Sequence, residues 1–289
     1  MNINISTQRE YQLLSKVFSR SIISGLARHG GSADLERILS EVGRDKIDLD
    51  SVSLLDFFEG CFEKLKVNYR NEYVFKNAIA TKIVRGRHKL SNCHYISEFK
   101  VGRSIADVAV FNGTSTAYEI KSSFDSFERL RDQIASYSSA FDKVYVVVPK
   151  EKVDKVFLHI EDHIGVYELT DRYSLSQVRE AESNIDNICS DSILGCLRRG
   201  EYLNIVKNKY GYIPSGKPSE IKREVANIFR NMSKDQLHRE FVHAMRKRGI
   251  SKSEKDILSQ MPASIISLLL SERLNERLLK SLYLKLHVR

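Results

Sequence analysis

The residues from Ser104 to Lys121, SIADVAVFNGTSTAYEIK, decide how this chain is read. Two runs rich in small apolar, β-branched and aromatic residues flank Asn112-Gly113. That dipeptide tolerates the positive φ angles of tight hairpins, so the runs are predicted to lie side by side as antiparallel strands. In the first run, period-two alternation sets Asp107 on one face with Ile105, Ala109 and Phe111. In the second, Glu119 and Lys121 stand two apart and leave the same face of their strand. The hairpin folds that strand back beside Asp107, so two carboxylates and one ammonium converge. A buried carboxylate is costly unless it is paired or bound to a metal. Asp107 and Glu119, with the backbone carbonyl of Ile120, offer hard oxygen ligands suited to Mg²⁺ or Mn²⁺. Such a metal polarises a phosphodiester and lowers the pKa of a bound water, and Lys121 would place that water or offset charge in the transition state. The bland alternative is a buried Asp107–Lys121 pair with Glu119 at a solvated strand end.

Working outward, CHYISEFKV precedes the hairpin as a further strand, and Gly102 separates the two. FDSFERLRDQIASYSSAF follows as a helix. The continuous apolar run KVYVVVPK then suits a strand buried on both faces, parallel to its neighbour after the crossover. A helix EKVDKVFLHI and a short strand IGVYEL complete the pattern. With the amphipathic helix NEYVFKNAIATKIV in front, the order is α-βββ-α-β-α-β over residues 67–170, an α/β domain with a mixed sheet. Residues 1–66 read as a helical region. Leu14, Val17, Ile22 and Leu26 form one apolar stripe ended by Gly30-Gly31, Ser32 or Asp34 caps the next helix, and Asp50 or Ser53 opens a third. Residues 171–191 are polar and read as a linker or loose helix, and 192–289 as a basic helical domain broken at GYIPSGKPS and Gly249.

The element order and the pattern Asp107-x11-Glu119-x-Lys121 resemble the PD-(D/E)xK nuclease superfamily, which includes restriction, repair and recombination nucleases. The likeness covers roughly Asn71 to Pro149. EIKSSFDSFERLRDQIASYSSAFDKVYVVVPK also resembles a poorly characterised bacterial branch with an appended helical C-terminus. The resemblance implies a restriction-endonuclease-like fold and metal-dependent hydrolysis of DNA. It also implies that Glu72, in the first core helix, completes the metal shell with Asp107, Glu119 and Ile120, and that Gln133 and Tyr137 support the site from the following helix. Ala106 stands where the superfamily's name places Pro. A first-turn glutamate such as Glu72 is also common for the helix dipole alone. Glu98 is a substitute ligand or an outward-facing strand residue.

Charge is unevenly placed. Residues 191–289 hold 20 Lys and Arg against 10 Asp and Glu, while the rest holds 26 against 27, so the net +9 belongs to the last third. Cationic surfaces displace counterions from phosphate backbones, which favours a nucleic-acid partner. The residues offered are Arg198, Arg199, Lys207, Lys209, Lys217, Lys222 and Arg223 around the GYIPSGKPS turn, with Arg230 and Arg246-Lys247-Arg248 beside them. A solvated helical surface is the plain alternative. The final apolar stretch, ASIISLLLSERLNERLLKSLYLKL, is read first as core and second as a surface for another copy or a protein partner.

Other signals are set aside. Gly211 to Lys217 mimics a phosphate loop, but Pro218 replaces the Ser/Thr and no strand precedes it. His159 and His163 lack a third ligand. The four cysteines form no C-x-x-C and fit a reducing compartment. No apolar run approaches the roughly 18 residues of a membrane span. A cytoplasmic, metal-dependent deoxyribonuclease of bacterial defence, repair or a mobile element is expected, with RNA left open as a substrate. A DNA-binding protein that keeps the fold without cutting is the alternative.

Overall fold

The computed structural model describes residues 3–47, 52–87 and 92–287; the expected cap Asp50 lies outside them. Six strands form one sheet in sequence order: β1 (His94–Val101), β2 (Ser104–Phe111), β3 (Ser115–Ile120), β4 (Lys143–Pro149), β5 (Gly165–Leu169) and β6 (Leu175–Arg179). β1 to β3 are antiparallel neighbours, and β3, β4 and β5 run parallel. The chain is thus α/β with a mixed sheet, and the expected hairpin forms. The Asn112 N–H donates to the Thr114 carbonyl (3.1 Å) across Gly113, whose φ is 139°. Gly165 is required by close approach, because a β-carbon there would stand 2.3 Å from the Tyr145 ring.

Helices cover both faces. On one lie α1 (Gln8–Ser15), α2 (Arg20–His29), α3 (Ala33–Val42), α4 (Leu54–Asn68) and α5 (Glu72–Ala78), which continues as a wider π-type turn to Arg87. On the other lie α6 (Leu130–Ser138), the single turn α7 (Val153–Val156), α8 (Ser190–Cys196), α9 (Arg199–Tyr210), α10 (Pro218–Arg230) and α11 (Lys234–Lys247). The chain then returns to the first face with α12 (Lys252–Gln260), α13 (Ile266–Glu272) and α14 (Glu276–His287). Each face has its own apolar core. Tyr95, Val108, Tyr118 and Val147 join the first, and Ala109, Phe111, Val144 and Val146 the second.

The structure redraws several sequence expectations. The first stripe is two helices, because the chain turns at Lys16–Ser19 to bury Val17 and Phe18, and Phe18 stacks on Tyr73 at 4.6 Å. Residues 122–129 are turns, since Asp125 accepts the Ser122 N–H and hydroxyl while Lys152 donates to the carbonyls of Ser122 and Asp125. EKVDKVFLHI keeps only one turn of α-helix, Val153–Val156, entered by a 3-10 turn at Lys150–Lys152. The expected linker contains β6, an exposed edge strand without apolar alternation. The segment 192–289 is divided between two layers, α8–α11 on one core and α12–α14 on the other.

What returns the last helices to the first layer is apolar burial pinned by one amide. Leu268, Leu269, Leu279 and Leu282 are buried, and α13 packs on α2, α5 and β1. Asn77 of α5, fully buried, donates to the Ala263 carbonyl (2.8 Å) and accepts the Ser267 N–H (3.1 Å). Asn77→Ala would leave both backbone groups unpaired. It is expected to destabilise the fold by ~1–3 kcal/mol, measured by urea unfolding.

Candidate active site

Strict alternation along β1 and β2 fails at one level of the sheet, and that failure builds the site. Tyr95 belongs to the first core but Phe99 and Val101 to the second; Ala106 belongs to the second, yet Val108 and Val110 to the first. Both strands therefore switch faces between Ser97–Val108 and Phe99–Ala106, the flanking register pairs. Glu98 sits at the switch with φ at 56°, left-handed backbone that a non-glycine residue rarely adopts. Asp107 lies opposite it, so it does not simply share a face with Ile105, Ala109 and Phe111, and Ile105 is 53% exposed. The β2–β3 ladder stops at Val108–Tyr118. Beyond it, Asp107 Oδ2 accepts the Ile120 N–H at 2.7 Å.

From the next strand, Glu119 and Lys121 point into the same layer and are only 2% and 7% exposed. Lys121 Nζ donates to Glu119 Oε1 (2.8 Å) and to Gln133 Oε1 on α6 (2.9 Å). The Tyr137 hydroxyl, one turn further along α6, is 2.7 Å from both Glu119 Oε2 and the Ile105 carbonyl. Asp107, Glu119, Lys121, Gln133 and Tyr137 are thus brought together. Lys121 pairs with Glu119 rather than with Asp107.

Asp107 has the informative electrostatics. Burial pushes its carboxyl up to about 7, aided by the charge of Glu119; the Ile120 N–H opposes the rise, Glu72 adds to it and Lys76 opposes it. A carboxyl poised there can exchange a proton near neutrality. Glu72 itself is held by Lys76 at 2.5 Å and is half exposed. Lys76 is also 3.6 Å from Glu98, and although burial lowers its pKa, Glu72, Asp107 and Glu98 together hold the ammonium above its usual range. A cavity of about 430 Å³ is lined by Arg20, Glu72, Lys76 and Glu98 and gives solvent an approach to this side of the sheet.

The Mg²⁺ or Mn²⁺ that the superfamily resemblance implies meets a partial fit. Asp107 and Glu119 supply hard oxygens, and the Asp107 carboxyl is raised first by burial and then by the charge of Glu119. Among the described residues, however, no three His, Cys, Asp or Glu side chains form a ready ligand cluster, since Glu72 is turned to Lys76.

The profile of the family described as bacteriophage P4 protein cII matches residues 65–267, most of the chain. The chain belongs to that family. Protein cII of Enterobacteria phage P4 is 30% identical over 178 residues, 60% of this chain and 65% of the phage protein, so slightly less than two thirds of that relative is spanned. A solved structure of a protein of unknown function from Silicibacter pomeroyi matches 61% of this chain and 92% of its own at 14% identity. Its TM-score of 0.29 is too low to bear on the fold. The cII profile takes in the whole sheet, the carboxylate site and α8–α12.

The basic residues are placed on the outer layer. Arg198, Arg199, Lys207, Lys217, Lys222 and Arg223 are exposed and Lys209 is half-buried against the Tyr210 ring at 5.4 Å. None of the seven forms an ion pair among the described residues, whereas Arg230 pairs with Asp191 and Arg248 with Glu201. Gly211 to Lys217 joins two helices, and no strand supports it as a phosphate loop. His159 stacks on Phe127 and His163 pairs with Glu161. The sequence reading missed Lys76 and Arg20, although Lys76 stands four residues after Glu72 in the spacing that pairs side chains on a helix. It also missed the contact of Ser115 Oγ with His238 Nε2 (2.9 Å), but Ser115 is wholly buried and out of reach of substrate.

An acid whose pKa is raised by folding costs stability once pH exceeds its unfolded value. For Asp107 that cost is absent well below the ordinary 3.8, grows with pH and is complete above about 7. Asp107→Asn removes the charge and retains an oxygen for the Ile120 N–H. Its stability relative to wild type is expected to rise between pH 4 and pH 8, measured by urea unfolding across that range.

Proposed function

We propose that this chain is a metal-dependent phosphodiesterase acting on DNA, with a restriction-endonuclease-like core of the PD-(D/E)xK type. One observation carries the reading: Asp107, held up near 7 by burial and by Glu119, stands beside a buried Glu119–Lys121 pair on adjacent strands. Buried charge of this kind does little for stability and is the usual mark of a working site. In this reading Asp107 and Glu119 hold Mg²⁺ or Mn²⁺, which when bound would polarise the scissile phosphate and acidify a water. Lys121 offsets the charge growing on phosphate oxygens. Gln133 and Tyr137 fix Lys121 and Glu119 in place. The unpaired cations of α9 and α10 would meet the DNA backbone. A relative encoded by a phage is in keeping with a mobile-element setting.

A second reading, binding of DNA without cutting, is favoured by one detail. Both oxygens of Glu119 are already engaged, by Lys121 and Tyr137, and would have to be released to a metal. The two readings part in a cleavage assay on plasmid and single-stranded DNA with Mg²⁺, Mn²⁺ or EDTA. The wild type is expected to cut only with metal, and Asp107→Ala and Lys121→Ala to lose at least ~100-fold of that rate. Salt-sensitive binding with no cutting under any metal would put the second reading first. Cutting that survives in both variants would refute the site.

A further inference from the structure

Residues 210–217, YGYIPSGK, join α9 to α10, and their backbone is fixed at both ends. Gly211, left-handed at φ 79°, ends α9 by donating its N–H to the Lys207 carbonyl (2.9 Å). At the other end the Lys217 N–H donates to Glu220 Oε2 (3.1 Å), and Pro218 opens α10. Pro214 is buried between the two ends. The Tyr212 hydroxyl donates to Glu224 Oε1 at 2.9 Å, which ties that ring to α10 by its polar end.

The apolar side chains of this ordered loop are nevertheless left in water. Tyr210, Tyr212 and Ile213 are 45%, 46% and 50% exposed. Among the described residues nine large hydrophobic side chains are exposed, and three of them fall within these four consecutive positions. Single exposed hydrophobic residues are ordinary, but a cluster held on a fixed backbone marks a contact surface.

The surrounding charge says what kind of contact it is. Around the loop stand Lys207, Lys209, Lys217, Lys222 and Arg223, and none of them forms an ion pair among the described residues. Lys209 Nζ lies instead 5.4 Å over the Tyr210 ring. Two carboxylates are close by, but each has a task of its own: Glu220 caps α10 and Glu224 holds Tyr212. They offset part of the positive charge, so phosphate attraction alone leaves the exposed rings without a purpose. A partner that matches both features carries phosphates together with flat, exposed apolar faces. A duplex turns its base faces inward and offers mainly phosphates, whereas unpaired bases offer both.

We propose that the 210–217 loop binds single-stranded DNA, with Tyr212 and Ile213 packing on unpaired bases and Lys207, Lys209 and Lys217 meeting the phosphates beside them. The inference rests on the reading of α9 and α10 as the DNA-contacting face and names the form of DNA that this face selects. It does not depend on cleavage at Asp107. Because its hydroxyl is already held by Glu224, the Tyr212 ring needs little further ordering when a base stacks on it.

The test is fluorescence anisotropy of a labelled short strand, alone and annealed to its complement, titrated with the full chain in EDTA at several salt concentrations. The wild type is expected to bind the single strand at least ~tenfold more tightly than the duplex. Tyr212→Ala and Ile213→Ser are expected to remove most of that preference with duplex affinity unchanged, while Tyr212→Phe, which keeps the ring, retains it. Stacking releases no counterions, so Tyr212→Ala is expected to keep the salt dependence of the wild type, whereas Lys217→Gln makes it shallower. The three side chains are exposed, and circular dichroism checks that each variant keeps the fold. Equal wild-type affinity for the two forms, or a preference that survives Tyr212→Ala, overturns the proposal and leaves α9 and α10 as a DNA face. No binding of either form overturns that face as well. A dimer in sedimentation that Ile213→Ser dissolves assigns the loop to a second copy and likewise overturns the proposal. None of these results bears on whether Asp107 and Lys121 cut DNA.

Discussion

A carboxylate inside a sheet has to be given a donor, and the Ile120 N–H given to Asp107 organises the centre of this molecule. Taking that N–H ends the β2–β3 ladder at Val108–Tyr118 and leaves β3 to continue along β4 alone. The same level carries the left-handed Glu98 and the change of face in β1 and β2. Without that change Asp107 would lie wholly within one layer. With it, Asp107 feels Glu119 from one layer and Glu72 and Lys76 from the other.

The two layers act on the site differently. The α6 layer fixes it, since Gln133 and Tyr137 tie down Lys121 and Glu119 in a region with little access to water. The α5 layer opens it, because Arg20, Glu72, Lys76 and Glu98 line a cavity and are linked by ion pairs whose carboxylates are half exposed, although Lys76 is largely buried. The exposed Arg20–Glu98 pair contributes little to stability and is readily rearranged. Stability comes from elsewhere, from the apolar cores and from buried amides such as Asn77 that join distant segments.

The basic excess of the last third also divides. Part of it stays on the outer face of α9 and α10, and part is folded back to the sheet edge at His94 by the return of α12–α14. Linear charge counts show the excess but not this partition, because Arg246 of α11 and Lys255 of α12 come to one cavity only through the packing of two separate helices.

The sequence by itself determined the six-stranded sheet's central hairpin, the parallel strand after the crossover and the convergence of Asp107, Glu119 and Lys121, whereas Gln133 and Tyr137 were placed beside them only by the superfamily resemblance. Those features follow from local rules: Asn-Gly turn chemistry, period-two alternation and a short apolar run. Only the tertiary structure decided the rest. Lys121 chose Glu119, Glu72 was drawn to Lys76, the alternation broke at Asp107, residues 122–129 became turns around Lys152, and the C-terminal helices split between two cores. Each of these depends on partners brought from distant parts of the chain or on which of several nearby charges a side chain meets, and neither periodicity nor composition encodes that choice.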